Sequence, residues 1–171
     1  MRFDVRGALA LGSLVVIGLG FLEPLTHGFG KLFGDFYDTN IEIAILEHWW
    51  NVFRGRAFWA ETGYFFPHQG TLAYNDGYLL YGLLYAGFRI FLDDLFLSAF
   101  ATHLLIRLLG YFCFFVFARR WLRLSSLHAA GGGVIFSSAN GLYVHELHAQ
   151  LLSVMLGPLA LHFLLLSLEH W

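Results

Sequence analysis

The chain has 171 residues, of which 58% are hydrophobic, 19% aromatic and 13% charged, with a formal net charge of -2. Soluble domains carry about 25% charged residues, so the composition excludes an ordinary water-soluble fold and points to a membrane protein. The absence of a basic stripe interleaved with aromatics excludes nucleic acid as a partner, and a single cysteine, Cys113, excludes an internal disulfide or a cysteine metal site.

Arg2 and Arg6 flank the start of an uncharged apolar run over 7–22. This predicts a first membrane span whose start lies in the cytoplasm. A signal peptide has a similar layout, but no small-x-small cleavage site precedes Glu23-Pro24. Residues 23–94 then form a large outer loop, approached through Gly28, Gly30 and Gly34. Within it, Thr39-Asn40-Ile41-Glu42 has the capping-box pattern, which predicts a helix over about 40–54. Ile41, Ala44, Ile45, His48, Trp49, Val52 and Phe53 fall on its apolar face, and Glu47, Asn51 and Arg54 on its polar face. Such a helix lies in the membrane interface. Asp35 and Asp38 stand just before its start, near the positive end of the helix dipole.

Gly55, Gly63, Pro67 and Gly70 break the next segment. Tyr74-Asn75-Asp76-Gly77 then leads into an apolar stretch over 78–92. That stretch is shorter than the about 20 residues a crossing helix needs, which predicts a second interfacial helix with Arg89 reaching for water. The run 95–117 is long enough to span and ends in the basic cluster Arg119, Arg120 and Arg123, which favours the cytoplasm. A span over 78–92 would put that cluster outside. Residues 125–142 return outward, with Gly131-Gly132-Gly133 allowing close approach of a neighbouring helix. A polar cluster over 143–150 follows, and 151–168 crosses back. The expected fold is an all-α membrane protein: a single membrane domain without internal repeats, about four transmembrane helices, one large outer loop carrying two interfacial helices, and both termini cytoplasmic.

Asp35, Asp38 and Asp76 are the acids best placed for chemistry. Each has a structural alternative as a helix cap or a solvated loop acid. Carboxylates beside lipid and aromatic walls are also suited to take a proton from a hydroxyl. His48 falls near the apolar face as a packed histidine, and Glu47 is expected in solvent. His145, Glu146, His148 and Gln150 do not have the spacing of a zinc protease; they are expected to line the outer cavity, and no metal site is assigned. His103 and Arg107 lie four apart on one face of the 95–117 span. An intramembrane arginine faces protein or water and suggests a phosphate or a loop carboxylate as its partner, with snorkelling or a structural ion pair as the alternative. No phosphate-cradling glycine loop and no serine-histidine-acid set is readable.

Several stretches together resemble the N-terminal part of the glycosyltransferase C superfamily, polytopic bacterial membrane enzymes that use polyprenyl-phosphate-linked sugars. They are Gly34-Asp35-Phe36-Tyr37-Asp38, Ile45-Leu46-Glu47-His48-Trp49-Trp50, Phe58-Trp59, Tyr64-Phe65-Phe66-Pro67, Thr71-Leu72-Ala73-Tyr74-Asn75-Asp76 and Leu147-His148-Ala149-Gln150-Leu151-Leu152. The resemblance covers nearly the whole chain. It implies transfer of a sugar from a polyprenyl-phosphate donor to an acceptor on the outer face of the bacterial inner membrane. Asp38 or Asp35 would be the base, and Asp76 would help form the pocket. Glu47, His48, Tyr74, Asn75, Arg107, His148 and Gln150 would bind substrate. The superfamily has metal-dependent and metal-independent members, so the resemblance leaves a divalent cation open as a cofactor. Its enzymes have many more spans, so the chain is expected to be an N-terminal module whose partners include further C-terminal spans or another membrane subunit. The alternative is a non-enzymatic membrane scaffold or lipid-binding partner, which would tolerate alanine at all three acids. A transporter half is weaker, because transporters bind near the bilayer midplane on broken helices.

Overall fold

A computed structural model describes residues 4–22, 25, 28, 36–63, 66–74, 76–138 and 149–169, with the backbone alone at 36, 37, 149 and 150. As expected for an all-α protein, the described residues contain helices and no strand. The helices are α1 (Val5–Gly20), α2 (Phe36–Phe53), α3 (Leu79–Arg89), α4 (Leu95–Arg120), α5 (Ser126–Ser138) and α6 (Gly157–Glu169). A 3-10 turn over Thr71–Tyr74 precedes α3, and a short turn over Ala149–Leu152 with a 3-10 turn over Ser153–Leu156 precedes α6.

Local chemistry sets the helix ends. Asp4 is extended and its carboxylate accepts the Gly7 N–H (2.7 Å), capping α1. Asp94 accepts the Leu97 N–H (2.7 Å) at the start of α4, and Arg119 and Arg120 occupy its last turn, where cations suit the dipole. α2 closes in a Schellman motif. The Gly55 N–H bonds the Val52 carbonyl (2.9 Å), the Arg56 N–H bonds the Asn51 carbonyl (2.8 Å), and Gly55 takes φ +67, where only glycine is unstrained.

By length and composition, α4 is the one described helix able to cross a membrane, whereas Val5–Gly20 and Ser153–Glu169 are shorter apolar helices. The run expected over 151–168 is interrupted because a 3-10 turn ends at Leu156 and Pro158 starts the next helix one residue in, the position where its missing N–H costs nothing. The run expected over 125–142 is helical for 13 residues, Ser126–Ser138, within the described range.

The chain forms two compact units. One gathers residues 1–26, 104–145 and 151–171; the other gathers 27–103 and 146–150. In the first, α1 packs on α5, and the buried positions Ala8, Gly12 and Val16 of α1 and Ala129, Gly133 and Ser137 of α5 form rows spaced four apart. Rows of this kind bring two backbones close. Tyr111 of α4 is fully buried against both, and its hydroxyl lies 3.2 Å from the Ala8 and Leu9 carbonyls. Phe115, Ala118 and Ala130 complete that core. Trp121 donates its indole N–H to His162 Nδ1 (3.0 Å), and Arg120 pairs with Glu169 (2.7 Å), tying the end of α4 to α6.

In the second unit α2 packs on α3. Ile45, Leu46 and Trp49 of α2 are buried, as are Tyr81, Gly82, Tyr85 and Ala86 of α3. Gly82 lets the Trp49 ring lie flush: a β-carbon there would sit 2.5 Å from the indole. The Trp49 indole N–H in turn donates to the Gly77 carbonyl (2.5 Å), fixing the approach to α3.

Candidate functional site

The start of α2 differs from its expected place. The helix is already running at Phe36, so Asp38 is in its first turn and Thr39 and Glu42 are interior positions, not a capping pair. Thr39 and Glu42 are three apart on the inward face and fully buried, while Ile41 and Ala44 face outward. Burial of a polar pair in place of the expected apolar face needs a partner, and α4 supplies it: His103 Nε2 hydrogen-bonds Glu42 Oε1 (2.5 Å). Glu42 Oε2 is also buried, with no hydrogen-bond partner among the described residues.

Beside this pair the chain enters α3 through Tyr78, a non-glycine residue held at φ 46, ψ 26 with no side-chain cap. Left-handed backbone at a bulky residue is uncommon and concentrates at functional sites. The Tyr78 phenol is held well above its ordinary acidity range, first by burial and then by the negative charges of Glu42, Asp76 and Asp38. Three carboxylates from α2 and from the loop before α3 therefore act on one phenol. Asp38 is half-buried and Asp76 is exposed.

One turn further along α2 lies a second polar set. Glu47 is not the solvated acid expected, nor does Arg89 reach for water. Arg89 grips Glu47 with two nitrogens, each at 3.1 Å, and bonds the Leu92 (2.7 Å) and Asp93 carbonyls. Tyr85 donates its hydroxyl to Glu47 Oε2 (2.6 Å). Two-point arginine-carboxylate contacts are among the strongest charge-assisted hydrogen bonds, so this set fastens α3 to α2 and leaves Glu47 little freedom to serve a substrate. His48 is packed, as expected: it is buried, and its Nε2–H donates to the Trp59 carbonyl (2.9 Å).

Burial, the hydrogen bond to Glu47 and the charge of Glu47 push the Tyr85 pKa well above its ordinary value, with Arg89 opposing. Tyr78 is raised as well. A group raised in the folded state holds its proton more tightly there than in the unfolded chain. Its contribution is therefore complete below the unfolded value of about 10 and is lost as pH rises beyond it. The unfolding midpoint should accordingly be flat up to about pH 9 and fall above about pH 10. Tyr85→Phe should make that alkaline decline shallower. A wild-type midpoint that does not move between pH 9 and 11 would refute this.

The other expected site residues are dispersed. Tyr74 is exposed on the 3-10 turn. Arg107 is buried on α4, one helical turn past His103. Asp35, Asn75 and His148 lie outside the described residues, as do His145, Glu146 and the side chain of Gln150. Among the described residues no three His, Cys, Asp or Glu side chains group as metal ligands. Cys113 is a buried free thiol. Glu42 and Tyr78 are not among the residues expected at a site; the usable signal is the position of Glu42 four residues after Asp38, one turn along the same helix face. Comparison with protein-family models, curated proteins and solved structures finds no match to this chain.

Proposed function

We propose that the chain is an integral-membrane, glycosyltransferase-like protein that transfers a sugar from a polyprenyl-phosphate donor to an acceptor hydroxyl at the outer membrane face. The observation that carries this reading is that the negative charges of Asp38, Glu42 and Asp76 all act on Tyr78 at the start of α3, together with a buried Glu42 Oε2 that has no hydrogen-bond partner among the described residues. Asp38, in the first turn of α2, takes the proton of the acceptor hydroxyl. The acceptor oxygen bonds the anomeric carbon, and the bond from that carbon to the donor phosphate breaks, with the lipid phosphate leaving with the electron pair. Asp76 shapes the pocket and Tyr78 is a hydrogen-bond donor beside it.

The membrane part of the reading is supported by α4 and by the apolar side chains left exposed in the first unit, among them Leu14 of α1, Val116 of α4 and Phe163 and Leu164 of α6. Apolar surface of this extent marks a lipid or protein contact. We take α1, α5 and the 151–168 segment as three further crossings, with both termini in the cytoplasm and Arg119, Arg120 and Arg123 on that side.

The test is transfer of a radiolabelled sugar from a polyprenyl-phosphate donor by the full chain in proteoliposomes. Asp38→Asn should lower turnover by roughly two to four orders of magnitude, the range of general-base catalysis, with helix content and unfolding midpoint unchanged. Asp76→Asn should raise KM. No sugar transfer by the wild-type chain, or wild-type turnover in Asp38→Asn with an unchanged KM in Asp76→Asn, would remove the transferase reading and leave the scaffold.

A further inference from the structure

We infer that the turn closing α2 docks on the anionic headgroups of a phospholipid bilayer, through Arg54 and Arg56 flanked by Phe58 and Trp59. The inference rests on the membrane reading above but not on the transferase chemistry. The Schellman turn holds its backbone, and the bond from His48 to the Trp59 carbonyl holds the segment after it. On this tethered frame both arginines are exposed. The Arg54 guanidinium lies 5.1 Å from the centre of the Trp50 ring, and neither arginine has a carboxylate partner among the described residues. Arg89 and Arg120, by contrast, are paired with Glu47 and Glu169.

Next to these two cations, large aromatics are left in the open: Phe58 is 60% exposed, Trp59 56% and, further along the loop, Phe66 87%. Tryptophan settles at the headgroup level of a bilayer, phenylalanine belongs to the apolar side of an interfacial segment, and cations beside them attract acidic lipid. The same compact unit contains Leu95–His103, the first residues of the helix able to span. Positive charge with no carboxylate partner among the described residues, combined with exposed rings, fits an acidic lipid surface better than an acidic peptide, which would leave the rings in water.

The full chain in nanodiscs tests this, with Trp59 emission read as the difference between wild type and Trp59→Phe. That substitution leaves the carbonyl bonded by His48 in place. Lipids brominated on the acyl chain should quench Trp59. In mixed bilayers at equal mole fraction, brominated phosphatidylglycerol should quench it several-fold more than brominated phosphatidylcholine, since each arginine near the surface favours acidic lipid roughly fivefold. Arg54→Gln with Arg56→Gln should keep the quenching and abolish the preference. Quenching of other tryptophans with none at Trp59, or a Trp59 response indifferent to lipid charge, overturns the inference. Absence of quenching at every tryptophan overturns the membrane reading on which it rests.

Discussion

His103→Leu is expected to destabilise the chain by about 3–5 kcal/mol, the usual cost of removing one partner from a buried charged or polar pair. The reason lies with Glu42. Its carboxylate is 1% exposed, and among the described residues one oxygen bonds only His103 (2.5 Å) and the other has no hydrogen-bond partner. Without the imidazole, neither oxygen would keep a described hydrogen bond, and a buried acid with no donor bears the full desolvation cost. Glu42→Gln keeps an acceptor toward His103 at similar volume and should cost only about 1 kcal/mol. Glu42→Leu combined with His103→Leu should cost far less than His103→Leu alone, because a buried polar pair exchanged for apolar side chains of similar size is often close to neutral. Unfolding of the three variants in detergent measures this. A double variant that loses as much stability as His103→Leu, or more, would show that the two residues do not act as a pair.

The pair also has a positional consequence. Glu42 is one turn from Asp38 on α2, and both act on Tyr78. The Glu42–His103 bond joins α2 to the start of α4 within one unit, so it fixes the rotation of α2 and thereby where Asp38 sits. A double-leucine variant that folds well but loses the transferase activity proposed above would separate positioning from stability.

Much of this arrangement was readable from local spacing, and the remainder was not, for identifiable reasons. Helical character, the positions of α2, α3 and α4, and the packed state of His48 follow from periodicity within a few turns. The start of α2 does not. Thr39 and Glu42 fit a capping box, but any two residues three apart also share one face of a continuing helix, and the buried partner that decides between these, His103, is 61 residues away. Glu47 looked solvated for a similar reason: its partners Tyr85 and Arg89 are 38 and 42 residues distant. Asp38 and Asp76 were legible as acids at two helix starts, but their common neighbour, Tyr78, depends on a left-handed backbone that no residue pattern signals. In α1 the small-residue row was hidden inside an evenly apolar run, where one face looks much like another.

The second large effect concerns that row. Gly12→Ala and Gly133→Ala should both destabilise, whereas Gly131→Ala should stabilise. All three sites lie within helices, where alanine is favoured over glycine by roughly 0.5–1 kcal/mol when nothing else changes. At Gly131 nothing lies within 4 Å of an added β-carbon, so that gain should appear undiminished. At Gly133 the β-carbon would stand 2.8 Å from the Tyr111 ring and 3.2 Å from its carbonyl oxygen. The backbone cannot swing aside as a side chain can, and overpacking of this kind costs about 1–3 kcal/mol. At Gly12 the new carbon would overlap the Tyr111 hydroxyl and the ring end that carries it. Here the ring must retreat, and its hydroxyl loses the Ala8 and Leu9 carbonyls. A stranded buried hydroxyl adds about 1–3 kcal/mol to the steric cost, which makes Gly12→Ala the worst of the three. Tyr111→Phe in the Gly12→Ala background removes the hydroxyl but not the ring carbons also in the way, so it should restore part of the loss and no more. Unfolding midpoints in detergent order the series. Equal effects at Gly131 and Gly133 would mean that Tyr111 does not sit in the seam between α1 and α5.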